Sequence, residues 1–142
     1  MYLLDTNVIS ELRRRDKADK NVVKWADAIP LPRFFLSAVS IFEIELGMLL
    51  IARRDVARGA VFRSWIDDHI LPRFEGRILA VDAVVAKRCA ALHVPDPCAE
   101  RDALIAATAI VHGLTIVTRN VADFKNVKVL LLNPWTAHQG RK

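Results

Sequence analysis

The sequence predicts an α/β protein, a three-layer α/β/α sandwich built on a parallel five-stranded sheet. Five apolar runs of strand length recur at Tyr2–Leu4, Phe34–Leu36, Ile78–Val81, Thr115–Val117 and Val129–Leu132, with β-branched or aromatic residues prominent. Helical periodicity lies between them, as in Val22, Trp25, Ala26 and Ile29, and in Phe62, Trp65, Ile66 and Ile70. Runs such as VLLL at 129–132 are apolar at consecutive positions, which suits strands covered on both faces, and the intervening helices supply the crossovers that parallel pairing requires.

Taken in order, YLLD forms the first strand, and Asp5 or Thr6 caps a helix running through Val8 and Leu12. Asp16 to Lys20 is polar and reads as a loop, after which a helix through Val22 to Ile29 stops at Pro30 and Pro32. The second strand leads into SAVSIFEIELG, where Ser40 and Glu43 match the S-x-x-E capping box. A helical stretch around Phe62 to Ile70 precedes the third strand, and Pro95 to Pro97 mark a break. AERDALIAATAIVHG then reads as a helix of small apolar residues that packs closely on the sheet and ends at Gly113. The fourth strand is followed by TRNVADF, and the fifth by LLNPW.

The chain has 142 residues, enough for a single domain spanning 1–142. Hydrophobic residues at 53% and charged residues at 26% supply a core and argue against disorder. Lys and Arg outnumber Asp and Glu by 21 to 16, a net +5 that favours an anionic partner such as nucleic acid, though a mild excess also serves solubility alone. Cys89 and Cys98 form no CxxC pair and are expected as thiols, with the cytoplasm as the default compartment. Neither a signal peptide nor a membrane span is expected, because the apolar run at Ile110 to Val117 is far too short.

In an open α/β sheet the ligand crevice lies at the carboxyl ends of the strands, so acids just beyond strands carry the functional reading. Asp5 follows the first strand, Glu43 the second, and Asn120 and Asp123 the fourth, while Asp102 falls in the first turn of the helix that leads into the fourth. Each has a purely local account as a cap, a helix-dipole partner or a turn residue. Together they describe a different site, because carboxylates that converge on one crevice repel unless a cation neutralises them. An all-oxygen set selects Mg²⁺ or Mn²⁺ over zinc, and His69, His93, His112 and His138 show no metal spacing. Glu45 points elsewhere on the same helix as Glu43, and Arg101 could pair with an acid or reach a phosphate.

The segments LLDTNVISEL, LSAVSIFEIELG, RDALIAATAIVHGLTIVTRNVADF and LLNPW together resemble the successive motifs of VapC-type toxins of the PIN-domain family, with the opening DTNVISE and closing NPW similar to the FitB-like branch. The resemblance covers nearly the whole chain. It implies a parallel five-stranded sheet and a Mg²⁺- or Mn²⁺-dependent endoribonuclease, the toxin of a type II toxin–antitoxin system. By the same resemblance Asp5 and Asp102 are metal ligands and Glu43 ligates or orients a water, with Asp123 completing the catalytic acids. Thr6, Asn7, Thr118 and Asn120 support them. At the fourth acidic place the chain departs from the Thr-Arg-Asp pattern by carrying Asn120, which leaves open whether one or two cations bind and whether Asn120 or Asp123 fills that place.

The family resemblance further implies a cognate VapB-like antitoxin that blocks the acidic pocket, toxin homodimers within a larger complex, and operator DNA bound only through the antitoxin. Arg13, Arg14 and Arg15, with Lys17 and Lys20, form a basic run that could contact RNA or an acidic antitoxin tail, and Arg53, Arg54 and Arg58 form a second patch. No side-chain nucleophile is expected, because Ser37, Ser40, Cys89 and Cys98 lack a His placed to activate them. Two rival readings stand beside this one. A non-catalytic PIN-like regulatory subunit acting with an antitoxin-like DNA-binding partner is the first; a haloacid-type phosphatase is the second, but it calls for DxD where this chain has Asp5-Thr6-Asn7.

Overall fold

The computed structural model describes residues 1–136, so His138 lies outside the described residues. The strands are β1 (Tyr2–Leu4), β2 (Phe34–Ser37), β3 (Ile78–Leu79), β4 (Thr115–Val117) and β5 (Leu131–Leu132), and every pairing is parallel. The third and fifth strands are shorter than expected: Ala80, Val81 and Leu130 are exposed on the two edge strands, although the Leu130 carbonyl oxygen still accepts Ile116 N–H at 2.9 Å.

The strand order is β3-β2-β1-β4-β5. After β3 the chain crosses back over β2 and β1 to place β4 on the far side, so a topological switch point falls between β1 and β4. The ladder there runs one residue beyond the strands. Asp5 donates its amide to Val117 carbonyl oxygen at 2.9 Å, and Thr118 donates to Leu132 carbonyl oxygen at 3.0 Å. Asp5 and Thr118 thus stand side by side at the carboxyl edge.

Alternation along the strands divides the interior into two layers, since successive side chains point to opposite faces. Leu4, Leu36 and Val117 face one way, against Val8 and Ile9 of α1 (Thr6–Leu12), Ile44 and Met48 of α3 (Ala38–Arg54), and Ile66 and Ile70. Helix α2 (Lys20–Asp27) joins this layer through Trp25, which meets Tyr2 edge-on with ring centroids 5.3 Å apart. Leu3 and Ile116 face the other way, against Ile105, Ala106 and Ala109 of α7 (Glu100–His112) and against Phe124. Helix α6 (Ala83–Leu92) lies outside α7, with Val85 and Cys89 packed on Ala103 and Ala107.

Local chemistry explains most helix ends. Asp5, Asp19, Ser37, Asp55 and Asp82 each accept a backbone N–H at the N-terminus of a helix, the last two at α4 (Val56–Trp65) and α6. Gly113 ends α7 with φ 67°, a left-handed conformation that glycine adopts without a Cβ clash, as the sequence predicts. The expected Ser40–Glu43 capping box does not form. Ser37 caps α3 instead by accepting from Val39 N–H at 2.9 Å, which places Ser40 inside the helix and leaves Glu43 free of any capping duty. Helix α4 continues through a π turn at Ile66–Ile70 into the short α5 (Leu71–Arg73). No helix among the described residues is long and apolar enough to cross a membrane.

Candidate metal and nuclease site

The crevice at the switch point is organised around Asp5, which is only 7% exposed. Its Oδ1 accepts from Thr6 N–H at 2.8 Å, and its Oδ2 accepts from the Thr118 hydroxyl at 2.8 Å and from Asn7 Nδ2 at 3.3 Å. Thr118 is itself fully buried, and its hydroxyl also accepts from Asn7 Nδ2 at 3.3 Å and from Asn120 N–H at 3.0 Å. That hydroxyl therefore uses its one donor and both of its lone pairs. Asn7 closes the network by accepting Arg119 N–H on Oδ1 at 3.2 Å, which ties the end of β1 to the loop after β4. A carboxylate so held has one orientation.

Three further acids share the crevice. Glu43, in the second turn of α3, accepts from the Thr6 hydroxyl at 2.5 Å and lies 3.5 Å from an Arg101 guanidinium nitrogen. Asp102, in the first turn of α7, is half-buried. Asp123 stands exposed in the 3-10 turn Val121–Phe124. Burial is the main cause that raises the Asp5 carboxyl above its ordinary value; Glu43 and Asp123 add to it, while the Thr118 and Thr6 hydrogen bonds oppose it. Asp102 is raised for the same leading reason and then by Asp123, Asp5 and Glu43. These mutual effects place the four acids in one electrostatic neighbourhood.

The donors are carboxylates with adjacent hydroxyls and amides, a hard set that suits a hard divalent cation, and such a cation would offset both the burial and the mutual repulsion. Among the described residues no group of three or more acid, imidazole or thiol side chains is close enough to hold a metal ion as it stands. Glu43 in particular is drawn toward Thr6 and Arg101. The site fits a cation through shared charge and donor chemistry.

Of the remaining expected residues, Asn120 is exposed and contributes its backbone N–H to Thr118, so the charge near the fourth place comes from Asp123. Glu45 faces α4, where it pairs with Arg63. His69 and His112 are exposed, and His93 is half-buried and accepts Cys98 N–H on Nδ1 at 3.2 Å. Cys89 and Cys98 are free thiols on the α6–α7 side, away from the acids.

The basic run is not part of the crevice. Asp5 caps the start of α1 and Arg13 its end, about 12 Å apart along the axis at 1.5 Å per residue. Arg13 lies over the Phe62 ring at 4.2 Å, Arg14 pairs with Asp16 at 3.6 Å, and Arg15 pairs with Asp27. Burial, then Arg14 and Arg58, push the Arg13 guanidinium down, so the two basic patches that are distant in sequence meet at the α1–α4 junction. Beside them opens a cleft of about 300 Å³, floored by apolar residues including Ile9, Leu12, Trp65 and Ile70 and rimmed by Arg13 and Arg15.

Asn133 and Trp135, which no strand or helix pattern marks out, line the mouth of the acidic crevice. Asn133 Oδ1 accepts Trp135 N–H at 2.9 Å, and Arg119 stacks over the Trp135 ring at 5.2 Å, so the closing NPW segment forms one wall of the crevice mouth. Its presence after the last strand was the signal.

The family model of the PIN domain matches residues 2–130. The chain is 38% identical to Toxin FitB of Neisseria gonorrhoeae, covering 95% of this chain and 99% of that one. It is 33% identical to VapC ribonuclease Y4jK of Sinorhizobium fredii, covering 95% and 98% respectively. The solved structure of FitAcB from Neisseria gonorrhoeae superposes with a TM-score of 0.86 at 38% identity, covering 95% of this chain and 99% of that chain. That of FitAB bound to an IR36 DNA fragment gives the same TM-score at 37% identity, covering 95% and 96%.

Proposed function

The chain belongs to the PIN-domain family, and from that premise we propose that it is the toxin of a type II toxin–antitoxin pair, a divalent-metal-dependent endoribonuclease. The observation that carries this reading is Asp5, buried, oriented by Thr118 and Asn7, and set among three further carboxylates at the switch point. The relatives support it by their names, a toxin and a VapC ribonuclease. Asp5, Asp102 and Glu43 would hold Mg²⁺, with Mn²⁺ as a substitute, and Asp123 would complete the acidic set. When bound, such a cation polarises a phosphoryl oxygen, stabilises developing charge and acidifies the attacking water.

The chain's own residues prepare that chemistry. Thr118 and Asn7 fix Asp5, and the two opposing hydrogen bonds to its oxygens keep it better able to ionise than burial alone would allow. Thr6 holds Glu43 at the same crevice, ready to orient water. Ser37, Ser40 and the two cysteines are not placed as nucleophiles: Ser37 caps α3, Ser40 is buried, and both thiols lie toward α6. Replacing Thr118 with valine removes the hydroxyl that orients Asp5, and Mn²⁺ affinity measured by calorimetry is expected to fall about 10- to 100-fold.

The cognate VapB-like antitoxin would use the apolar cleft and its arginine rim, surfaces that suit an amphipathic segment with acidic residues. Operator DNA would be met through that antitoxin, in keeping with the DNA-bound FitAB complex. Leu49 and Leu50, each about half exposed on α3, suit self-association.

The test is growth after induction of the wild-type chain beside Asp5→Asn, with cleavage of total RNA by purified protein in Mg²⁺, Mn²⁺ or EDTA. Arrest and metal-dependent cleavage by the wild type alone support the nuclease. A folded wild type that leaves RNA intact in Mn²⁺ and growth normal replaces it with a non-catalytic binding subunit.

A further inference from the structure

A crevice lined by four carboxylates repels RNA, so something at its mouth must hold the polyanion. Two arginines stand there. Arg101 directly precedes Asp102, and Arg119 directly follows Thr118. Each is stacked on an aromatic ring: Arg101 lies 4.8 Å from the centroid of Phe42, the neighbour of Glu43, and Arg119 lies 5.2 Å from that of Trp135. Phe42 sits on α3 beyond β2, and Arg119 sits beyond β4; because β1 lies between β2 and β4, the two pairs flank Asp5 from opposite sides.

Both guanidiniums are available. The Arg101–Glu43 contact is a single 3.5 Å approach with the arginine side chain 50% exposed, a kind of pair that contributes little in water and exchanges readily for a phosphate. Arg119 is exposed, and no carboxylate among the described residues lies within ion-pair distance of it. Phe42 is 53% exposed, unusual for a phenylalanine with no structural duty beyond the arginine above it.

Resting on the nuclease reading, we propose that Arg101 and Arg119 grip the phosphates on either side of the scissile one, each braced by its aromatic ring, and that Phe42 stacks an unpaired base. A duplex keeps its bases paired and stacked, whereas an unpaired base presents its face to an aromatic ring. To take its phosphate Arg101 would give up only its single 3.5 Å approach to Glu43.

The experiment measures binding of a fluorescent 20-nucleotide mixed-sequence RNA, single-stranded and as a duplex, to the full chain in Ca²⁺ over a range of salt, with cleavage of total RNA in Mn²⁺ in parallel. Arg101→Ala and Arg119→Ala are each expected to weaken single-strand binding several-fold and to lower the slope of log affinity against log salt by about 0.7. Arg101→Lys and Arg119→Lys should keep that slope. Phe42→Ala should weaken single-strand binding about tenfold and leave duplex binding unchanged. Unaltered melting temperatures exclude unfolding as the cause. A wild type that cleaves RNA while the double alanine variant keeps its affinity and salt slope overturns the proposal and leaves the nuclease standing. Equal single-strand and duplex binding, untouched by Phe42→Ala, overturns the stacking role. A wild type that neither binds nor cleaves overturns both readings.

Discussion

Replacing Asp102 with asparagine is expected to abolish RNA cleavage while raising the melting temperature of the metal-free protein at neutral pH. Activity should fall at least about 100-fold, since even the outer partners of metal ligands are worth about 10- to 100-fold. The opposite sign for stability follows from the site's electrostatics. The Asp102 carboxyl lies above its ordinary 3.8 in the folded chain, first through burial and then through Asp123, Asp5 and Glu43. Between 3.8 and that raised value the folded chain holds a proton that the unfolded chain has released. The stabilisation is therefore complete below the ordinary value and is lost as pH rises through the raised one. At pH 7 the ionised carboxylate costs stability, although its place in the first turn of α7 earns about 0.3–1 kcal/mol from the helix dipole. Burial and the repulsion of Asp123, Asp5 and Glu43 act against that dipole contribution. Asparagine removes both costs.

Thermal melts in EDTA and in excess Mn²⁺ measure this directly. The wild type should gain stability from Mn²⁺, about 2.7 kcal/mol at a hundredfold excess over the dissociation constant, and Asp102→Asn should gain far less. In EDTA the wild type should melt higher at pH 5 than at pH 7, with the variant showing a smaller difference. A variant that melts lower than wild type in EDTA at both pH values would mean that Asp102 serves the fold and not the cation.

Phe124→Ala is expected to have the largest effect on stability. Phe124 is 1% exposed and joins Leu3, Ile105 and Ile116 in the layer beneath α7. Truncating a buried phenylalanine costs about 3–5 kcal/mol, a large share of the 5–15 kcal/mol by which domains are usually stable. At about 3 °C per kcal/mol the melting temperature should drop by roughly 10 °C. Phe124 also anchors the 3-10 turn that carries Asp123, so the variant should lose Mn²⁺ affinity below its new melting point. Undiminished affinity would show that Asp123 is positioned by its own turn and needs no anchor from the core.

Much of this architecture can be read locally. β1 and β4 have the bounds that their apolar runs predict, α7 stops at Gly113 as its glycine requires, and Asp5, Glu43, Asp102 and Asp123 follow strands or open the helix that precedes one. These features depend on side-chain alternation, helical spacing and turn chemistry within a few residues, all of which are present in the sequence. Strand ends at the sheet margins are less legible, because Val81 and Leu130 have strand-forming side chains yet fall outside the paired residues Ile78–Leu79 and Leu131–Leu132.

Other decisions rest on contacts between distant parts of the chain. Ser40 and Glu43 satisfy the capping-box pattern as well as Ser37 satisfies a simple cap, and only the packed position of β2 decides between them. The Thr118 hydroxyl that fixes Asp5 comes from 113 residues away, through a strand order that places β4 beside β1. The charge of Asp123 acts on Asp5 and Asp102 from the 3-10 turn after β4, and Arg13 meets Arg58 because α1 and α4 share a layer. The sequence by itself determined which elements form and which acids stand at their ends, since local sterics and hydrogen bonding set those. The tertiary structure alone decided which acids act on one another and which arginines guard them, because electrostatic and hydrogen-bond energies depend on distances that only the packed sheet establishes.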